Sequence, residues 1–302
     1  MQSLHLLSLL VLVAVFRVAS GQELEPRAYS NAPVGMNFVV AGYGHTEGNL
    51  LFDPSVPIDN ASAKIDAGLF GAAHSFGLAG KSAKVALVLP VVALDAVGDV
   101  NGVRQSRKVT GLADPTLAFS FNFSGAPALN MEEFRRYRQE TIVGATLKVT
   151  APVGQYDDDR LVNIGTNRWS FRPEIGISRA LGSWIIEGTA AAAFYATNDD
   201  FFGGQRLEQD PIYAGQAHIV YDIRPGLWVA LDATYYTGGT STIEGQRKNN
   251  ELHNWRVGLT LAVPLNRHHS IKIAASSGIS ARAGSDFDAY ALVWQYRWGG
   301  GF

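Results

Sequence analysis

TIVGATLKVTAPVGQYDDDRLVNIGTNRWSFRPEIGIS, Thr141 to Ser178, alternates at period two in both of its arms. Val143, Ala145, Leu147 and Val149 share one face of the first arm, with Gly144, Thr146, Lys148 and Thr150 opposite. After a polar loop, Trp169, Phe171, Pro173, Ile175 and Ile177 oppose Ser170, Arg172, Glu174, Gly176 and Ser178. Each arm is about ten residues long, enough for a tilted strand to cross a bilayer. One face suits lipid and the other carries charge, which is the pattern of a transmembrane β-hairpin.

The pattern recurs in both directions. Strands are expected near Met36–His45, Ala63–Phe76, Ala83–Ala93, Thr116–Phe123, Thr141–Thr150, Trp169–Ser178, Trp184–Tyr195, Ile212–Tyr221, Trp228–Tyr236, Asn254–Val263, Ser270–Ser280 and Phe287–Trp298. A sandwich also alternates, so the connections decide between the two. Short turns at Gly77–Ser82, Arg179–Ser183, Asp222–Gly226 and Pro264–His269 interleave with longer loops at Thr46–Ser62, Leu94–Pro115, Ala151–Arg168, Ala196–Pro211 and Thr237–His253. Short turns at one rim and long loops at the other are the arrangement of an outer-membrane barrel. The exception is Ser124–Glu140, a long connection on the short-turn side, where Asn130 is placed to cap a short helix with acids in its first turn. The expected fold is all-β, a single antiparallel transmembrane β-barrel of about twelve strands over residues 36–302.

The two ends of the chain fit a barrel. Leu4–Phe16 is apolar apart from His5 and Ser8 and is followed by small residues at Val18–Gly21. This reads as a signal peptide over residues 1–20, too short for the ~20 residues of a spanning helix. A polar periplasmic lead-in is expected over 21–35. At the other end Tyr290, Leu292, Trp294, Tyr296 and Trp298 share one face, and Phe302 keeps their parity. Trp294, Tyr296, Trp298 and Phe302 are expected to be the membrane-insertion signal, read by the barrel-assembly machinery, with the aromatics at the lipid interface.

Composition narrows the classes. Apolar residues make up 47% and aromatics 11%, with 32 glycines, as a strand-rich barrel with tight turns requires. The absence of cysteine excludes disulfides, a thiol nucleophile and thiolate metal ligation. A net charge of −2 gives no reason to expect a nucleic-acid partner.

Three motifs, RAYSNAPVGMNF (Arg27–Phe38), GLADPTLAF (Gly111–Phe119) and TAPVGQYDDDRLVNIGTNRWSFRPEIGIS (Thr150–Ser178), together resemble the meta-pathway phenol-degradation family, a group assigned as outer-membrane transporters. The resemblance covers most of the chain after the leader and implies a link to aromatic-compound catabolism. It carries no site residue with it. On physical grounds Pro152 and Gly154 end a strand, and Gly165 and Asn167 return the chain to Trp169 at the outer interface.

If the aliphatic faces meet lipid, then Lys148, Arg172, Glu174, Glu187, His218, Asp232, Arg256, Lys272 and Arg297 line the lumen. They form either a salt-bridged plug or a polar constriction that selects solutes. Tyr156, Phe201 and Phe202 are the candidate solute contacts in the external loops. Asp157-Asp158-Asp159 reads as a solvated acidic loop, so no metal is expected, and no motif calls for a cofactor. No Ser–His pair stands out at the lipid face. The expected function is passive passage of small apolar or aromatic solutes across the outer membrane, in contact with its lipid. A plugged structural or surface-binding barrel is the second reading, and a lipid-modifying enzyme the third.

Overall fold

The computed structural model describes residues 25–51, 58–100, 103–281 and 284–301. The leader over 1–20 and Phe302 therefore lie outside the described residues. In chain order the strands are β1 (Met36–Leu51), β2 (Ile58–Leu78), β3 (Lys81–Val100), β4 (Val103–Leu112), β5 (Thr116–Ser124), β6 (Thr141–Thr150), β7 (Ser170–Leu181), β8 (Trp184–Tyr195), β9 (Asn198–Phe201), β10 (Gln205–Gln209), β11 (Ile212–Arg224), β12 (Leu227–Gly238), β13 (Ser241–Ile243), β14 (Gln246–Arg247), β15 (Leu252–Pro264), β16 (His269–Ser280) and β17 (Gly284–Gly299).

Twelve of these close an antiparallel barrel in the order β1-β2-β3-β5-β6-β7-β8-β11-β12-β15-β16-β17, with β17 pairing back onto β1 from Met36↔Gly299 to Leu51↔Gly284. Closure satisfies every ladder edge in lipid, which an open sheet does not. No helix among the described residues is long and apolar enough to cross a membrane. The twelve expected strands are these twelve. The expected helix is α1 (Met131–Arg136), where the Asn130 side chain accepts from the Glu133 N–H and Glu133 accepts from the Asn130 N–H, a complete capping box.

Outward faces carry the lipid-facing band. Phe171, Ile175, Ile177, Ile186, Ile219, Leu231, Leu259, Ile273 and Leu292 are exposed, with Trp169, Trp184, Trp255, Trp294 and Trp298 toward the rims. Trp294, Tyr296 and Trp298 stack in sequence at 6.4 and 5.3 Å, and His269 stacks on Trp294 at 5.5 Å.

The structure differs from the sequence reading in two respects. The loop expected over 94–115 is mostly strand. β4 pairs with the upper half of β3, from Val91↔Leu112 to Val100↔Val103, while β5 pairs with the lower half. β4 and β5 are thus one wall strand broken at Ala113–Pro115. β1, β2 and β3 are 16, 21 and 20 residues long, well beyond the roughly ten a bilayer requires. Their upper outward faces are charged and paired: Lys64–Glu47 at 2.9 Å, Lys108–Asp95 at 2.7 Å and His45–Asp66 at 2.9 Å.

The second difference is that the condition of outward aliphatic faces does not extend to the whole barrel. On β1–β3 and the upper part of β17, Phe287 to Val293, the inner face is apolar. One cluster joins Ala32, Met36, Phe38, Val40, Leu69, Val88, Met131 and Val293, and a second joins Ala63, Ile65, Ala67, Val92, Leu94, Ala96, Ala113, Ile164 and Phe287. Leu69 and Ala67 are successive inward positions of β2, one in each cluster. These strands alternate around something packed inside the barrel, so their inner face behaves as a core.

Candidate functional site

The barrel interior is divided along its circumference. Opposite the apolar wall, β6 to β17 present the expected polar set. Lys148, Arg172, Glu174, Glu187, His218, Asp232, Arg256 and Arg297 are buried and on inward positions, and Lys272 is inward and half-buried. His218 Nδ1 lies 2.7 Å from Asp232 Oδ1, and the Thr260 hydroxyl donates to Asp232 Oδ2 at 2.8 Å. Arg256 donates to the Ser276 hydroxyl at 2.8 Å and to the Phe287 carbonyl at 2.9 Å. Arg297 sits lower, donating to the Arg267 carbonyl of the β15–β16 turn at 2.8 Å.

The N-terminal segment completes this network. Residues 25–35, expected as a lead-in below the barrel, run inside it. Lys148 Nζ donates to Glu25 at 2.8 Å with both side chains buried. Arg27 donates from its side chain to Asp222, from its backbone N–H to Glu187, and lies 5.6 Å over the Trp228 ring. Lys84 donates to the Ala28 carbonyl at 2.7 Å, and Asn122 to the Tyr29 carbonyl at 3.1 Å. Tyr29 donates to Glu174 at 3.0 Å, and its burial, reinforced by the charge of Glu174, pushes the phenol far above its usual range and keeps it a donor.

Two glycines make room for Tyr29. Gly144 and Gly176 pair across β6 and β7. A Cβ on Gly144 would fall 2.6 Å from Tyr29 Cδ1, and one on Gly176 would fall 2.1 Å from Tyr29 Cε2. The ring lies in a slot that only a glycine pair leaves open. Below it, the Ser124–Glu140 connection seals against the same segment: the Val34 N–H donates to the Leu129 carbonyl at 2.8 Å, and Asn31 to the Pro127 carbonyl at 3.1 Å.

At the other rim, the loop over 151–168 folds against the break between β4 and β5. Asp114 accepts from the Gly154 N–H at 2.8 Å, from the Thr166 N–H at 2.8 Å and from the Thr166 hydroxyl at 2.6 Å. The Gln155 N–H donates to the Leu112 carbonyl at 2.8 Å. Gly154 and Gly165 are in backbone contact, since a Cβ on Gly165 would lie 2.8 Å from the Gly154 carbonyl. Asn167 takes φ +52°, a left-handed turn position that asparagine tolerates. The loop thus brings Ile164 onto the apolar wall.

A second, four-stranded sheet, β14-β13-β10-β9, stands over this rim. Phe201 and Phe202 lie at its β9–β10 turn, half-buried and exposed respectively. Tyr156 is tied to that sheet, accepting from Asn198 at 2.9 Å and donating to the Asp200 carbonyl at 3.2 Å, and its burial raises the phenol pKa. Asp157, Asp158 and Asp159 each bring one oxygen within 4.8 Å of the others, and Arg107 and Arg160 lie 3.6 and 3.8 Å from Asp157.

The nine polar residues singled out in the sequence lie on inward positions; the apolar wall and the N-terminal segment bonded to those residues were not anticipated. The signal for the latter was present in RAYSNAPVGMNF, an arginine and a tyrosine on one side of a Pro-Val-Gly turn. The carboxylate partners of that arginine and tyrosine lie on strands more than a hundred residues away.

The COG4313 outer membrane channel from Pseudomonas putida F1 has this fold, with a TM-score of 0.79 at 22% identity over 91% of this chain and 100% of that chain. The transport unit of the autotransporter AIDA-I from Escherichia coli matches at TM-score 0.51 and 7% identity, over 87% of this chain and 90% of that one. The beta domain of the Bordetella autotransporter BrkA matches at 0.50 and 10%, over 88% and 100%. At these identities the likeness establishes the fold alone. No curated protein sequence matches. The motifs at Arg27–Phe38, Gly111–Phe119 and Thr150–Ser178 are the N-terminal segment, the wall break and the loop sealed onto it. Residues 40–295 match the profile described as "Putative MetA-pathway of phenol degradation", and the chain belongs to that family.

Proposed function

We propose that this barrel resides in the bacterial outer membrane, after cleavage of its leader, and passes small solutes with apolar surface, monoaromatics among them, down their gradient. The observation that carries this reading is the apolar inner wall. A wetted pore for hydrophilic solutes has no use for Phe38, Leu69, Ile65, Leu94 and Phe287 turned inward and packed in buried clusters, whereas an apolar solute that parts this packing exchanges one apolar contact for another. The polar wall and the N-terminal segment fill the rest of the section with paired charges, which disfavours free flow of water and ions. The family's link to phenol degradation and the likeness to an outer membrane channel support the class of solute and the passive mode.

Uptake of a labelled monoaromatic should fall when the gene is deleted, in a strain without a redundant homologue, and return with the parent gene. Unchanged uptake removes the transport reading and leaves the fold. The second reading, a plugged barrel with no route through it, is favoured by the Glu25–Lys148 and Arg27–Asp222 contacts. It predicts normal uptake on deletion and electrical silence in planar bilayers.

A further inference from the structure

The mouth of the barrel holds a buried cation with a terminal guanidinium nitrogen that has no hydrogen-bond partner among the described residues. Lys148, Arg27 and Arg172 each have a carboxylate within 4 Å. Arg168, just before β7 and only 8% exposed, has none among the described residues. Its Nη2 donates to the amide oxygen of Gln209, its guanidinium lies 4.7 Å over the Tyr195 ring, and its Nη1 is buried with no hydrogen-bond partner. Burial lowers its pKa. A guanidinium kept from water with one arm idle is costly. Its fork matches a carboxylate, which accepts from both arms at once.

The place is suited to an incoming molecule. Gln209 is the last residue of β10, in the external sheet, and its own amide nitrogen donates to the Gly239 carbonyl at 3.0 Å. Its oxygen is therefore a neutral acceptor on the guanidinium, carried by that sheet. The Thr166 hydroxyl reaches the Arg168 carbonyl at 3.2 Å, and it also donates to Asp114 beside Ala113 of the upper apolar cluster. The same loop supplies Ile164 to that cluster. The cation and a residue of the apolar wall thus belong to one loop, 151–168.

We propose that Arg168 is the recognition point for solutes that carry a carboxylate on an apolar body, the carboxylate replacing the Gln209 amide oxygen on its guanidinium. The inference rests on the passage reading for the route such a molecule takes, but binding is measured without transport. Purified barrel in detergent is titrated calorimetrically with benzoate and with octanoate, against benzyl alcohol and acetate. Benzoate or octanoate should bind, whichever fits naming the apolar body, and benzyl alcohol and acetate should bind on the order of tenfold more weakly or not at all. Arg168→Gln should lose at least as much, and Arg168→Lys should restore part of it. Gln209→Ala should tighten binding, because it removes the competing oxygen.

A purely structural clamp between rim and sheet predicts the opposite for Gln209→Ala, no gain or a loss, and that result would overturn the proposal. So would equal binding of benzyl alcohol, or failure of both carboxylates to bind. Heat-modifiable migration reports whether each variant remains a barrel; if Arg168→Gln does not, Arg168→Lys and Gln209→Ala carry the test. Carboxylate binding without any uptake would refute passage and keep this site, and neutral monoaromatic uptake without carboxylate binding would do the reverse.

Discussion

Substituting Gly176 by alanine tests whether the N-terminal segment is seated as described. The new methyl carbon would lie 2.1 Å from Tyr29 Cε2 and 2.7 Å from Thr189 Cγ2, both far inside contact distance. Thr189 stands on β8 and can turn its methyl; the ring has the wall behind it and must leave. Tyr29 is 2% exposed, and an aromatic side chain buries about 150–250 Å². At about 25 cal/mol per Å² its seat is worth roughly 4–6 kcal/mol as an upper bound. Tyr29→Ala should accordingly cost about 3–5 kcal/mol. Gly176→Ala should cost a comparable amount in equilibrium unfolding with lipid vesicles, and the double variant little more than either alone, because the second change finds the seat already empty. In planar bilayers both single variants should raise ion conductance. Additive losses, or a Gly176→Ala protein as stable as the parent and no more conductive, would refute the slot.

Three further outcomes follow from other parts of the barrel. Leu259, outward and central on β15, should cost about 2–4 kcal/mol when changed to arginine, while Arg256→Leu, one of whose partners is a hydroxyl, should cost less; equal stability of Leu259→Arg and the parent in vesicle unfolding would reverse the facing of that strand. Asp114→Ala removes the acceptor of three hydrogen bonds at the wall break and should expose the 151–168 loop to limited proteolysis, with an uncut loop as the contrary result. Deleting Phe302 should lower the outer-membrane yield, given the stacked Trp294, Tyr296 and Trp298 on the closing strand, and an unchanged yield under matched expression would dismiss a terminal signal.

The strands were legible because period two is a local property, and so was the capping box of α1, since Asn130 and Glu133 are three residues apart. The interior was legible only where one face is charged. Arg172 and Glu174 opposite Phe171 and Ile175 leave no ambiguity about which side meets lipid. Val85–Leu94 is apolar on both faces, and nothing in it tells Leu94, turned inward, from Val91, turned outward. β4, VRQSRKVTGL, is polar because it stands above the bilayer, and so it read as a loop. The seat of Tyr29 depends on Gly144 and Gly176 meeting across a hairpin, and those positions acquire that meaning only once the register is known. The site at Arg168 was hidden for the same reason: its neighbours Tyr195 and Gln209 come from separate strands.

Passage of apolar solutes along the inner wall of β1–β3 is read by uptake of a labelled neutral monoaromatic in cells that carry Ile65→Ser with Leu94→Ser, compared with Leu231→Ser and Leu259→Ser on the lipid face, at equal amounts of heat-modifiable barrel. The inner pair should slow uptake toward the level of the deletion strain while the outer pair leaves it at the parent's rate. Equal uptake by both pairs would contradict that passage.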